Sequence, residues 1–119
     1  MINTLKKRED FVSLSGEGQS IATKGVVLQY KQCESKPENI GIQNVTSRIG
    51  FTASKKVGGA VYRNRCKRIL REAVRLVMKT SPELFKDNFD YNLIARYSTL
   101  NRPFESLVKD LKYALHQVK

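Results

Sequence analysis

The chain has 119 residues, 40% of them hydrophobic, and sets 22 Lys and Arg against 11 Asp and Glu, a formal net charge of +11. That length suits a single domain with a core of its own. Two cysteines, Cys33 and Cys66, make neither a disulfide framework nor a metal-ligand set, and no apolar run approaches the ~20 residues that span a bilayer.

The opening stretch, MINTLKKREDF, is charged and lacks the apolar core of a signal peptide, so a cytoplasmic protein is expected. A short helix is expected around Glu9 to Leu14, with Glu9 and Asp10 at its positive end. Phe11 and Leu14 share a face of it, and Gly16 and Gly18 end it. Ile21 to Cys33 reads as a strand in which Val26, Leu28 and Tyr30 alternate with Val27, Gln29 and Lys31. Turn residues Pro37, Glu38, Asn39 and Gly41 mark a loop from Glu34 to Asn44. Thr46 to Ser54 is a further strand. Its Ile49, Phe51 and Ala53 face one way, and Arg48, Gly50, Thr52 and Ser54 the other. That small, polar side is either solvated or the floor of a ligand site.

The positive charge is concentrated in one stretch. Lys55 to Lys79 holds nine of the 22 cations and one acid, Glu72, whereas the other 94 residues carry 13 basic and 10 acidic groups. A helix beginning after Gly58-Gly59 turns by roughly 100° per residue. Tyr62, Cys66, Ile69, Leu70, Ala73 and Val77 then share one stripe. Asn64, Lys67, Arg68, Arg71 and Arg75 fall opposite, with Arg63 and Arg65 at the boundary. A solvated surface helix interleaves acids at i,i+4, and this one does not. A row of cations rich in forked guanidinium groups suits a phosphate polyanion. Cys66, on the apolar stripe, reads as a small buried hydrophobe.

Ser81-Pro82 breaks the helix. Leu84 to Asp90 connects it to a strand from Tyr91 to Tyr97, in which Tyr91, Leu93, Ala95 and Tyr97 alternate with Asn92, Ile94 and Arg96. A last helix starts at Asn101 to Pro103 and carries Phe104, Leu107, Val108, Leu111, Leu115 and Val118 on one stripe. The order is α-β-β-α-β-α, with a third early strand if residues 21–45 split into a hairpin. The expected fold is a single-domain α+β sandwich over residues 1–119, αβββαβα, with one sheet of about four strands packed with helices.

No catalytic constellation stands out. The one histidine, His116, lies near the end of the last helix, and no Ser-His-Asp or Cys-His set forms without it. The acids are scattered, with no carboxylate cluster that marks a metal site, and Gly58-Gly59 lacks P-loop spacing. The expectation is a chain that binds nucleic acid without doing chemistry on it. A membrane-binding amphipathic helix is disfavoured, because Ile69, Leu70 and Val77 are needed for the core.

The block Ile49 to Arg75, IGFTASKKVGGAVYRNRCKRILREAVR, resembles the protein component of bacterial ribonuclease P. The resemblance rests on Ser54-Lys55-Lys56, Val57-Gly58, Ala60-Val61, Arg63-Asn64-Arg65, Lys67-Arg68 and Arg71-Glu72. It continues through Leu5-Lys6-Lys7, Asp10-Phe11, Gly18, Leu93-Ile94-Ala95-Arg96 and the helix near Phe104. Composition alone does not separate this family from a ribosomal-protein-like structural RNA binder; the Arg-Asn-Arg block does.

The resemblance implies a βαβ crossover of left-handed sense through the basic helix. It implies a catalytic RNA subunit and precursor tRNA as partners, rather than DNA or a membrane. The 5′ leader of precursor tRNA would be removed with Mg²⁺ held mainly by the RNA, the protein being inactive alone. Arg63, Asn64, Arg65, Lys67, Arg68, Arg71 and Arg75 would contact RNA. Phe11, Thr52, Ser54, Lys55 and Lys56 would line a cleft for the single-stranded leader. Ser15 and Gln29 stand where the family often has aromatics, and the loop from Glu34 to Val45 is slightly long.

Overall fold

The computed structural model describes residues 3–4, 16, 18–32, 48–86 and 89–118. Five strands form one sheet: β1 (Asn3–Thr4), β2 (Gln19–Ala22), β3 (Val26–Gln32), β4 (Arg48–Thr52) and β5 (Phe89–Ala95). Two long helices, α1 (Ala60–Thr80) and α2 (Phe104–His116), complete the described elements, with one 3₁₀ turn at Pro82–Leu84. The sheet order is β1-β4-β5-β3-β2. Its main body is the four strands β2 to β5, with β1 a two-residue parallel strip at the edge beside β4. Strands β4 and β5 are parallel neighbours, so α1 is the crossover between them. The helix expected at Glu9 to Leu14, together with Phe11, Ser15, Cys33 and the whole 34–45 loop region, lies outside the described residues.

The hairpin exists, but it lies earlier than a split of residues 21–45 suggests. Strands β2 and β3 pair antiparallel with Ile21 opposite Leu28 and Ala22 opposite Val27. The reversal is closed by Thr23, whose hydroxyl donates to the Val26 carbonyl (2.6 Å) and accepts from the Val26 amide (3.1 Å). Gly25 is required here by close approach. A Cβ on it would lie 2.7 Å from Asp110 Oδ2 and 2.9 Å from Leu107 Cδ1, because the turn sits directly on α2. Asp110 is held there by Arg102, with Nε 2.6 Å from Oδ2.

Register sorts the sheet into two faces. One carries the rows Ile49–Tyr91–Tyr30 and Phe51–Leu93–Leu28–Ile21. This face joins Cys66, Leu70, Ala73, Val74 and Val77 of α1 and Leu107, Val108, Leu111, Ala114 and Leu115 of α2 in a single apolar core. Phe85 and Phe89 pack their rings around Tyr91, Phe85 edge-on and Phe89 stacked. The other face carries the rows Arg48–Asp90–Lys31 and Gly50–Asn92–Gln29–Ser20. Its polar groups are tied to one another. Arg48 clamps Asp90 through two hydrogen bonds of 2.8 and 2.7 Å.

Strand β5 spans residues 89–95, two residues earlier than expected. Its apolar alternation extends back to Phe89, and after Ala95 the chain turns. The Thr99 amide bonds the Arg96 carbonyl, and the Asn101 and Arg102 amides both bond that of Ser98. Tyr97 therefore leaves the sheet and is 68% exposed.

Candidate nucleic-acid interface

Helix α1 starts where Gly58 adopts φ +154°, a conformation open to glycine and costly for residues with a Cβ. It ends at Ser81, whose amide still bonds the Val77 carbonyl, before Pro82 stops the helix. Between these limits its apolar stripe is buried in the core. Cys66 belongs to that stripe, and burial pushes its thiol pKa up, which disfavours a reactive thiolate.

The opposite side is outside. Asn64, Arg65, Arg68, Arg71, Arg75 and Lys79 are exposed or nearly so, and Arg63 and Lys67 are half-buried. Among the described residues no ion pair engages any cation of α1. The salt bridges found there join Arg48 to Asp90 and Arg102 to Asp110, both away from this helix. The helix also begins without an acidic side chain in its first turn or a side-chain cap, so its positive dipole end is unopposed locally. Arg65, Arg68 and Arg75 are thus free to meet phosphate. Arg71 differs: its guanidinium sits 5.5 Å from the centre of the Phe51 ring, which fixes its position through a cation–π contact.

Of the residues expected in a cleft, Ser54, Lys55 and Lys56 form the exposed turn that leads from β4 into α1. That turn is closed by the Val57 amide on the Ser54 carbonyl at 3.0 Å and anchored by buried Val57. Thr52 lies on the polar sheet face and gives its hydroxyl proton to Asn92 Oδ1 (3.0 Å), so toward a ligand it can only accept. Asn92 in turn donates to Gln29 Oε1 (3.3 Å), which makes a hydrogen-bonded row across three strands. Asn92 is only 3% exposed and organises that row from the central strand.

Ser54 and Lys56 meet residues that the apolar alternation alone would keep in the sheet. They line a pocket of about 340 Å³ together with Val57, Ala95, Arg96, Tyr97 and Ser98. The clustering of a lysine, an arginine, two serines and an exposed tyrosine arises because β4 and β5 end side by side. The signal available in the sequence was the Ser98-Thr99 pair just after Tyr97, which marks a turn rather than a continuing strand.

The acids among the described residues offer no obvious place for a cation. Asp90 and Asp110 are each committed to an arginine. No three His, Cys, Asp or Glu side chains converge among the described residues. No helix among them is long and apolar enough to cross a membrane.

A sequence profile of the family Ribonuclease P matches residues 2–119. The chain belongs to the ribonuclease P protein family. It is 42% identical over 118 residues to the ribonuclease P protein component of Ruegeria pomeroyi, covering 98% of this chain and 86% of that one. To the same component of Bacillus velezensis it is 38% identical over 111 residues, covering 93% and 84%. Among solved structures, the ribonuclease P protein of Staphylococcus aureus superposes with a TM-score of 0.68 at 26% identity, covering 95% of this chain and 92% of that one. The Thermotoga maritima protein superposes at 0.74 with 22% identity, covering 98% of both, a likeness of fold. The α+β architecture expected from the sequence is thus the architecture of ribonuclease P proteins.

Proposed function

We propose that the protein acts in the cytoplasm as the RNA-binding subunit of ribonuclease P, assisting a catalytic RNA in removing the 5′ leader of precursor tRNA. The observation that carries this reading is the exposed face of α1, whose cations have no ion-pair partner among the described residues. A concentrated row of positive charge repels itself, and a folded RNA laid along it removes that repulsion while releasing counterions. Arg65, Arg68 and Arg75 with Arg63, Asn64, Lys67 and Arg71 serve this docking. The turn Ser54–Lys56 and the polar face at Thr52, with Phe11, serve the single-stranded leader, whose unstacked bases need flat and hydrogen-bonding surfaces.

Mg²⁺ held by the RNA supplies the hydrolytic chemistry. The protein's part is electrostatic and positional: its cations offset phosphate repulsion between RNA subunit and substrate, so that less Mg²⁺ is needed to screen it.

Sequencing the RNA that co-purifies with the protein from bacterial cells tests the assignment. Ribonuclease P RNA and leader-bearing tRNA precursors are expected to be enriched. Enrichment of ribosomal RNA in their place would support a structural RNA-binding module and contradict the proposal.

A further inference from the structure

Strand β1 flanks β4 only at Arg48 and Ile49. Past them β4 has no strand on its outer side among the described residues, and Phe51 stands on that open stretch. Its side chain faces the helices and packs against the core, yet it is only half-buried. Arg71 reaches down from α1 over this ring, with Cζ 5.5 Å from the ring centre.

The ring attracts the guanidinium through its quadrupole and accepts no ordinary hydrogen bond, so the five N–H donors stay available. Other positioned cations of the protein are committed elsewhere. Arg48 and Arg102 are each paired with an aspartate. Lys86 lies over the Phe89 ring, but its ammonium also donates to the Val118 carbonyl at 2.6 Å. Among the described residues no hydrogen bond or ion pair engages Arg71, so it is held in place without being neutralised. An arginine on a surface helix has many rotamers and loses them when it binds an anion. Contact with Phe51 removes part of that freedom beforehand. Lys67 and Arg75 lie four residues to either side, each about 6 Å away along the helix axis. An RNA strand laid along this row meets a cation already ordered at its middle.

We propose that Phe51 is a positioning residue for RNA docking, its ring holding the Arg71 guanidinium ready for one backbone phosphate of the RNA subunit. The inference rests on the docking reading of α1, and adds to it an uncharged residue of the sheet.

The test is a double-mutant cycle on the full protein binding a bacterial ribonuclease P RNA, measured over a range of salt and with the melting temperature of every variant. Arg71→Ala should weaken binding and reduce the salt slope by about one unit. Phe51→Leu keeps an apolar side chain and removes the ring. The lost ordering of one long side chain should weaken binding by about 2- to 12-fold. In the Arg71→Ala background the same substitution should change affinity by less than about 2-fold, because the group that the ring orders is gone. Phe51→Tyr, which puts a ring back, should restore the wild-type affinity. Should Phe51→Leu melt below the assay temperature, Phe51→Met takes its place in the cycle. Wild-type affinity in the ringless variant or in Arg71→Ala, or an equal loss with and without Arg71, would overturn the proposal while the docking reading stands. A wild-type protein that does not bind the RNA, or binds it without salt dependence, would remove the docking reading and this inference together.

Discussion

Replacing Arg65, Arg68 and Arg75 together with alanine is expected to remove most of the salt dependence of RNA binding and leave the fold intact. If ~4–6 cations of α1 neutralise phosphates, log affinity falls with log salt at a slope of roughly −3 to −5. Between about 50 and 200 mM salt the wild-type protein then loses roughly 60- to 1,000-fold in affinity. Each phosphate-contacting cation removed reduces the slope by about one unit, so the triple variant keeps a slope of only about 0 to −2. All three side chains are exposed and none is ion-paired among the described residues, so the melting temperature should change little. Arg71 is left out of the set because its contact with Phe51 gives it a second role, and its removal mixes charge with packing. A triple variant with the wild-type slope would show that RNA docks elsewhere.

The opposite face of the same helix should give the opposite result. Leu70 is 1% exposed and packed in the core beneath the sheet. Leu70→Ala removes buried methyl groups and leaves a cavity, which costs about 2–5 kcal/mol. Total stability of such a domain is only about 5–15 kcal/mol. The midpoint of thermal unfolding should fall by on the order of 10–20 °C. The salt slope of the molecules that remain folded should be that of the wild type, since no phosphate contact is lost. A Leu70→Ala protein that melts like the wild type would contradict the placement of α1 against the sheet.

These contrasting faces were legible because α1 is strongly punctuated. Gly58-Gly59 precedes it, Ser81-Pro82 ends it, and the apolar repeat between them admits only a helix. The structure sets its bounds at Ala60–Thr80, within a residue or two of those signals. The hairpin of β2 and β3 was harder to place, because the strand-like pattern of Ile21 to Cys33 runs on through Thr23-Lys24-Gly25. What reverses the chain there is a local hydroxyl bond to Val26 and a close approach to α2, and the second depends on a residue 85 positions away, Asp110. Tyr97 continues the alternation of Tyr91, Leu93 and Ala95 and so reads as strand. The hydrogen bonds that turn it outward come from Tyr62, 35 residues earlier, and from the Ser98 contact with Lys24, 74 residues away.

The polar face of the sheet was visible as a small, hydrophilic strand side, but its organisation was not. Thr52, Asn92 and Gln29 are linked across separations of 40 and 63 residues, and Arg48 reaches Asp90 across 42. Pairings of that kind depend on sheet order, and the order β4-β5-β3 is set by tertiary packing rather than by any local signal. The residues named for the leader from the family resemblance therefore acquire neighbours that no motif contains: Asn92 beside Thr52, and Arg96 and Tyr97 beside Ser54 and Lys56.

Cleavage of precursor tRNA at low Mg²⁺ tests most directly whether the protein is an electrostatic and positional partner of a catalytic RNA. Three reactions are compared: a bacterial ribonuclease P RNA alone, the rigorously RNA-free protein alone, and the two together. The expected result is efficient leader removal only by the mixture, with the RNA alone recovering activity as Mg²⁺ is raised and the protein alone inactive throughout. Cleavage by the RNA-free protein, or a mixture no more active than the RNA alone at low Mg²⁺, would contradict it.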